Sequence, residues 1–123
     1  MGLDMYAYKH KESTPKVDFE WFENAEELAC WRKHPNLHGW MEALYRKNNG
    51  AEDCFNGVCI SLDRSDLEEL ETAVAQDDLP ATTGFFFGSS WRTKEERQRD
   101  LDFINKARAA IDDGYSVFYV SSW

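Results

Sequence analysis

The first residues alternate, with Leu3, Met5 and Ala7 set against Asp4, Tyr6 and Tyr8. A period of two sends successive side chains to opposite faces, so a strand begins almost at the first residue. Residues 116–123 read as a second strand at the far end of the chain. Both terminal strands are assigned to one sheet.

The stretches between them carry their own signals. Val17, Phe19 and Trp21 share one side of a weak strand over residues 17–22. Asn24-Ala-Glu-Glu27 has the form of a capping box, which predicts a short helix running to about Lys33. Pro35 disfavours helical geometry at His34 and presets the start of a second helix. In that helix Leu37, Trp40, Met41, Leu44 and Tyr45 fall on one stripe, and Asn48-Asn49-Gly50 ends it. Residues 58–62 form a short strand, and Ser65-Asp-Leu-Glu68 opens a helix with Leu67, Leu70 and Val74 inward. Gly84-Phe-Phe-Phe-Gly88 reads as a buried strand. Thr93-Lys-Glu-Glu96 caps a long helix with Leu101, Ile104 and Ile111 inward and Gly114 as its stop. The expected architecture is one small α+β domain over residues 1–123, its sheet packed against about four helices.

Eight Phe, five Trp and five Tyr in 123 residues supply a core, and no repeat or linker divides the chain. The net charge of −9 turns the chain away from direct contact with nucleic-acid phosphates and anionic membranes. Residues 63–78 hold seven acids and one base, whereas residues 92–108 hold six bases and four acids. One acidic face, on Asp66, Glu68, Glu69 and Glu71, and one mildly basic face follow from that division. Cys30, Cys54 and Cys59 are odd in number and lack CxxC spacing, which points to reduced thiols in a cytoplasm. No signal segment or membrane-length apolar run is present, and Tyr6 stands where myristoylation wants Ser or Thr.

Cys30, His34 and His38 recur every four residues, a spacing that suits a metal on an unbroken helix. Pro35 interrupts that geometry, so these residues are read as ordinary packing at a helix junction. No metal and no cofactor is expected. His38 lies beside the apolar stripe and has two readings, a general base or anion donor and a core-edge imidazole bonded to a carbonyl. Arg32 and Lys33 follow Trp31 and suit either a helix terminus or an anion site shared with His38. The glycines at 84 and 88, with Ser89, Ser90 and the cap at Thr93, resemble a strand-to-helix turn that could hold a phosphate, but no P-loop lysine follows, and glycines around a triple Phe more often allow close backbone packing.

Several landmarks occur together: Met1-Gly-Leu-Asp-Met-Tyr6, Trp31-Arg-Lys33, Leu37-His38-x-Trp40, Thr83-Gly-Phe-Phe-Phe-Gly-Ser89 and the Ser121-Ser-Trp123 ending. This set resembles a family of small uncharacterised proteins of bacteriophages, prophages and bacteria, over nearly the whole chain. Thr83 stands where Ser is familiar, and His34-Pro35 replaces a more helical pair. The resemblance implies a phage or mobile-element accessory protein in a host cytoplasm, with no assigned reaction. It also groups Asp4, Tyr6, Trp31, Arg32, Lys33, His38, Trp40, Phe87, Ser122 and Trp123 as motif residues, which mix aromatics, cations and a carboxylate.

Two classes of function fit. In the first, a non-catalytic interaction protein presents its acidic face to a host or phage protein with a basic surface, as an inhibitor of a host or defence protein would. In the second, Arg32, Lys33, His38 and the aromatics Tyr6, Trp31, Trp40 and Trp123, with Asp4 as orienting carboxylate, hold a small nucleotide-like anion, with or without turnover. Exposed aromatics would also support a homodimer.

Overall fold

The computed structural model describes residues 3–32, 34–76, 79 and 94–123. Alternation at the N-terminus produces β1 (Asp4–His10), with Met5 and Ala7 completely buried. β2 (Val17–Phe19) and β3 (Glu26–Arg32) follow, then α1 (Pro35–Lys47), β4 (Cys59–Leu62), α2 (Arg64–Ala75), α3 (Lys94–Asp112) and β5 (Ser116–Ser122). The five strands form one sheet in the order β2-β4-β5-β1-β3, and every pairing is antiparallel. The terminal strands are neighbours, as the alternation predicts: Asp4 faces Ser122 and Tyr6 faces Val120.

Residues 26–32 correct the sequence reading, since the helix expected between Asn24 and Lys33 is strand β3. The described residues therefore contain three helices rather than about four. The physical reason is tertiary. β1 is buried, and its second edge needs partners for its backbone N–H and C=O groups, whose loss outweighs a local cap. Ala29 and Trp31 pair with Ala7 and Met5 on the core side, while Cys30 and Arg32 pair with Tyr6 and Asp4 on the other. A bulge at Leu28 hides this alternation, because Tyr8 pairs with Glu27. Asn24 serves the opposite sheet face instead of a helix, its Oδ1 accepting from His10 Nε2 at 3.0 Å.

The remaining helices begin where their chemistry dictates. Pro35 opens α1, and Leu37, Met41, Leu44 and Tyr45 are buried along the expected stripe. The capping box of α2 lies two residues earlier than Ser65. The Asp63 side chain accepts from Asp66 N at 2.8 Å, and Asp66 accepts from Asp63 N at 3.0 Å. Asp66 also takes Lys16, which fixes this register. Gly114, at φ +90°, stops α3 as expected. The expected strand over residues 84–88 and the cap at Thr93 lie outside the described residues.

The helices supply Leu67, Leu70, Val74, Phe103, Ile104 and Ala107 to the core beneath Met5, Ala7, Ile60, Val117 and Tyr119. Among the described residues the other sheet face carries no helix and is covered only in part, by residues 17–25. Phe19 and Phe22 pack edge-on against Phe118 at 5.4 and 6.0 Å, and Phe22 stacks on His10 at 4.1 Å. Asp18, at φ +59°, anchors this strap by accepting from Tyr45 Oη and from Ala51 N.

Glu71 grips Arg108 through both carboxylate oxygens, at 2.7 and 2.9 Å, and ties α2 to α3. That hydrogen bond holds the Glu71 carboxyl below its usual range, against an opposing contribution from burial. A depressed carboxylate stabilises the fold above its unfolded pKa and loses that contribution as pH falls through the folded value. A Glu71→Gln variant is expected to be less stable at neutral pH by no more than about 1 kcal/mol, since the pair is partly exposed. Its urea midpoint should fall less steeply than the parent's over roughly pH 5 to 3.

Candidate functional site

Two clusters of polar side chains lie inside the core. The first joins three segments through Asp100, which is completely buried on α3. Asp100 Oδ1 accepts from Trp31 Nε1 at 3.0 Å, and Oδ2 lies 2.9 Å from His34 Nε2. One turn earlier on the same helix, Glu96 Oε1 stands 3.0 Å from His34 Nδ1, off the line a hydrogen bond needs. Trp31 and His34 thus bind β3 and the start of α1 to α3. Burying a carboxylate is costly unless it is bonded, and these two donors make the burial tolerable.

The second cluster centres on His38, on the buried side of α1. Its Nδ1 lies 2.8 Å from Tyr119 Oη, and its ring packs on Phe55 at 5.1 Å and edge-on to Trp123 at 6.3 Å. Trp123 is held by Asn56 through its backbone and donates from Nε1 to Phe55 O at 2.9 Å. Burial pushes the His38 pKa down to about 4 and raises that of Tyr119, against a hydrogen bond with Ser121 that lowers it. A neutral imidazole sealed from solvent stabilises the junction of helix and sheet and does not meet a bulk-phase substrate.

Arg32 and His38 are therefore not walls of one pocket. Arg32 is 76% exposed and pairs with Asp4 at 3.6 Å on the helix-free face, whereas His38 is completely buried beneath the other. Lys33 and Phe87 lie outside the described residues. Trp40 is half-buried and shares a shallow hollow of about 130 Å³ with Lys47 and with Glu69 of α2. Among the described residues no group of His, Cys, Asp and Glu has the arrangement to hold a metal ion. The three cysteines are unpaired, and burial pushes the Cys59 thiol up to about 12.

The helix-free face does gather several of the expected residues. Asp4, Tyr6, Arg32 and Ser122 lie on it together. Beside them an open groove of about 290 Å³ runs between Tyr6, Tyr8, Trp21, Gly57, Val120 and Ser122. Its walls are mostly apolar, and Trp21 is 48% exposed. Gly57, at φ +75°, closes the groove with its N–H donated to Ser121 O at 2.7 Å. Tyr8, Trp21 and Glu27 are the residues that sequence reasoning missed here. The signal for Tyr8 was present, since it shares the face of Asp4 and Tyr6 in the first alternation. Trp21 was assigned to a strand side rather than to a surface.

The acidic residues divide in the same way. Asp66 is buried in its capping box and held by Lys16, and Glu71 is held by Arg108, so neither is a freely presented charge. Glu68 and Glu69 are exposed. No helix among the described residues is long and apolar enough to cross a membrane. Comparison with known proteins finds no matching family model, no matching curated protein and no matching solved structure.

Two outcomes test the buried clusters. Asp100→Ala leaves the Trp31 and His34 donors without their acceptor, and a loss of about 3 kcal/mol or more in denaturant unfolding is expected. For His38 the folded pKa lies below the unfolded 6.5. The fold keeps its full stability above pH 6.5 and loses it progressively down to about 4, by up to about 3 kcal/mol. A His38→Gln variant should lack that slope when unfolding is followed across the same window.

Proposed function

We propose that this chain is a non-catalytic interaction protein for a partner with a basic surface, an accessory protein of the phage or mobile-element type that acts by occupying that partner. The observation that carries the reading is the placement, among the described residues, of exposed acids outside any cap or ion pair. Glu68 and Glu69 stand exposed on α2, and Glu20, Glu23 and Glu27 stand exposed around the strap and β3. With a net charge of −9, these acids on both sides of the sheet give a long-range field that draws a cationic protein toward the molecule.

For the alternative, a small nucleotide-like anion at Arg32, Lys33 and His38, the described residues set Arg32 near Tyr6 but bury His38 under the other sheet face, and Asp4 pairs with Arg32 at 3.6 Å. The two readings differ in salt response and in the residues that matter. A partner recovered with the tagged full-length protein from its host should be retained at low salt. It should be released near 1 M salt, where the screening length falls to about 3 Å. Glu68→Lys with Glu69→Lys should weaken retention without lowering the melting temperature. Retention that ignores both salt and charge reversal overturns the reading.

A further inference from the structure

The groove on the helix-free face has a composition that selects its occupant. Tyr6 and Tyr8 lie 6.2 Å apart with their rings within 25° of parallel. Trp21 leans over Tyr8 at 5.7 Å and 58°, so three aromatic rings border one open channel. The faces of such rings carry partial negative charge and attract a cation. Four carboxylates stand close in sequence or register. Glu27 pairs with Tyr8 across β1 and β3, Asp4 lies two residues from Tyr6 on the same face, and Glu20 and Glu23 flank Trp21. Tyr8 feels this surrounding: burial first, and then the charge of Glu27, raise its hydroxyl pKa, while a hydrogen bond with Trp21 lowers it. Among the described residues Arg32 also lies on this face, and its pairing with Asp4 at 3.6 Å leaves Glu20, Glu23 and Glu27 to meet an incoming cation.

We propose that the channel between Trp21 and the Tyr6–Tyr8 pair receives a lysine or arginine side chain from the basic partner protein. The proposal rests on the reading above and names the anchor point within it. Charge complementarity decides the occupant. The aliphatic stem of such a side chain covers the apolar walls, including Val120, while its charged head meets ring faces and the Glu27 carboxylate. A nucleotide stacked on the same rings would bring its phosphate against Glu20, Glu23 and Glu27, and is rejected by repulsion.

The test uses the full-length protein, ¹⁵N-labelled, titrated with a hexalysine peptide at low salt, with hexaglutamate as the control. The Trp21 indole N–H resonance, assigned with a Trp21→Phe variant, should move on adding hexalysine and stay fixed with hexaglutamate. Trp21→Ala should bind about three- to thirtyfold more weakly, the span of one cation–π contact. Glu27→Gln should weaken binding by a smaller factor. Hexalysine binding that leaves the Trp21 resonance still, or that Trp21→Ala leaves unchanged, overturns the groove and spares the acidic interaction reading. No hexalysine binding at low salt overturns that reading, and the groove with it.

Discussion

β1 is hydrogen-bonded along both edges, to β3 on one side and to β5 on the other, and its side chains go alternately into the core and onto the helix-free face. Because the period is two, a slip of one residue against β5 would drive Tyr6 and Tyr8 into the core and expose Met5 and Ala7. The burial of Met5 and Ala7 therefore fixes the position of the two tyrosines. The same pairing places Ser122 opposite Asp4 and Arg32 on its other side. The groove is in this sense a by-product of the core, rigid because the strand beneath it has no alternative register. Trp21 and Gly57 reach it from elsewhere, and the strap carrying Trp21 is pinned by Asp18 at one end and Asn24 at the other.

The polar residues inside the core serve a different need. β3 lies at the edge of the sheet, where backbone pairing on one side alone holds it. The bond from Trp31 to Asp100 and the contacts of His34 add a second attachment, reaching across to α3. An apolar contact would tolerate sliding, whereas a buried carboxylate with two donors does not, because any shift leaves a desolvated charge unmet. The tryptophan of the Trp31-Arg-Lys33 motif is thus structural. The cation beside it faces solvent, where its partner is the Asp4 carboxylate. Adjacent residues of one motif divide between two faces of the sheet.

The sequence made most of the architecture legible. Period two revealed β1, the stripe from Leu37 to Tyr45 revealed α1, and Gly114 marked the end of α3. It misled at residues 24–32, where Asn24 and Glu27 satisfy a local rule that the sheet overrides. The extra residue at Leu28 broke the alternation that would have announced the strand. Of the candidate site, Asp4, Tyr6 and Arg32 were found as types without their arrangement. His38 was found without its burial, because one position on a helix stripe separates a surface imidazole from a sealed one. Depth depends on Phe55, Tyr119 and Trp123, which arrive from segments distant in sequence.

Charge in this molecule is divided by task. Asp66, Glu71 and Asp100 are committed to a cap, an interhelical pair and a buried anchor, and reversing any of them disturbs the fold before it disturbs a partner. Glu68, Glu69, Glu20, Glu23 and Glu27 carry no comparable commitment, and they are among the exposed acids whose field reaches solvent. A surface field by itself attracts cations without choosing where they settle, since screened charges more than about 8 Å apart act weakly at physiological salt. Choice needs short-range contacts at a site where water is displaced. The groove supplies these with three aromatic rings and little polar wall, next to Glu27. Steering by the acids and seating by Tyr6, Tyr8 and Trp21 are then separable, the first sensitive to salt and the second to ring chemistry.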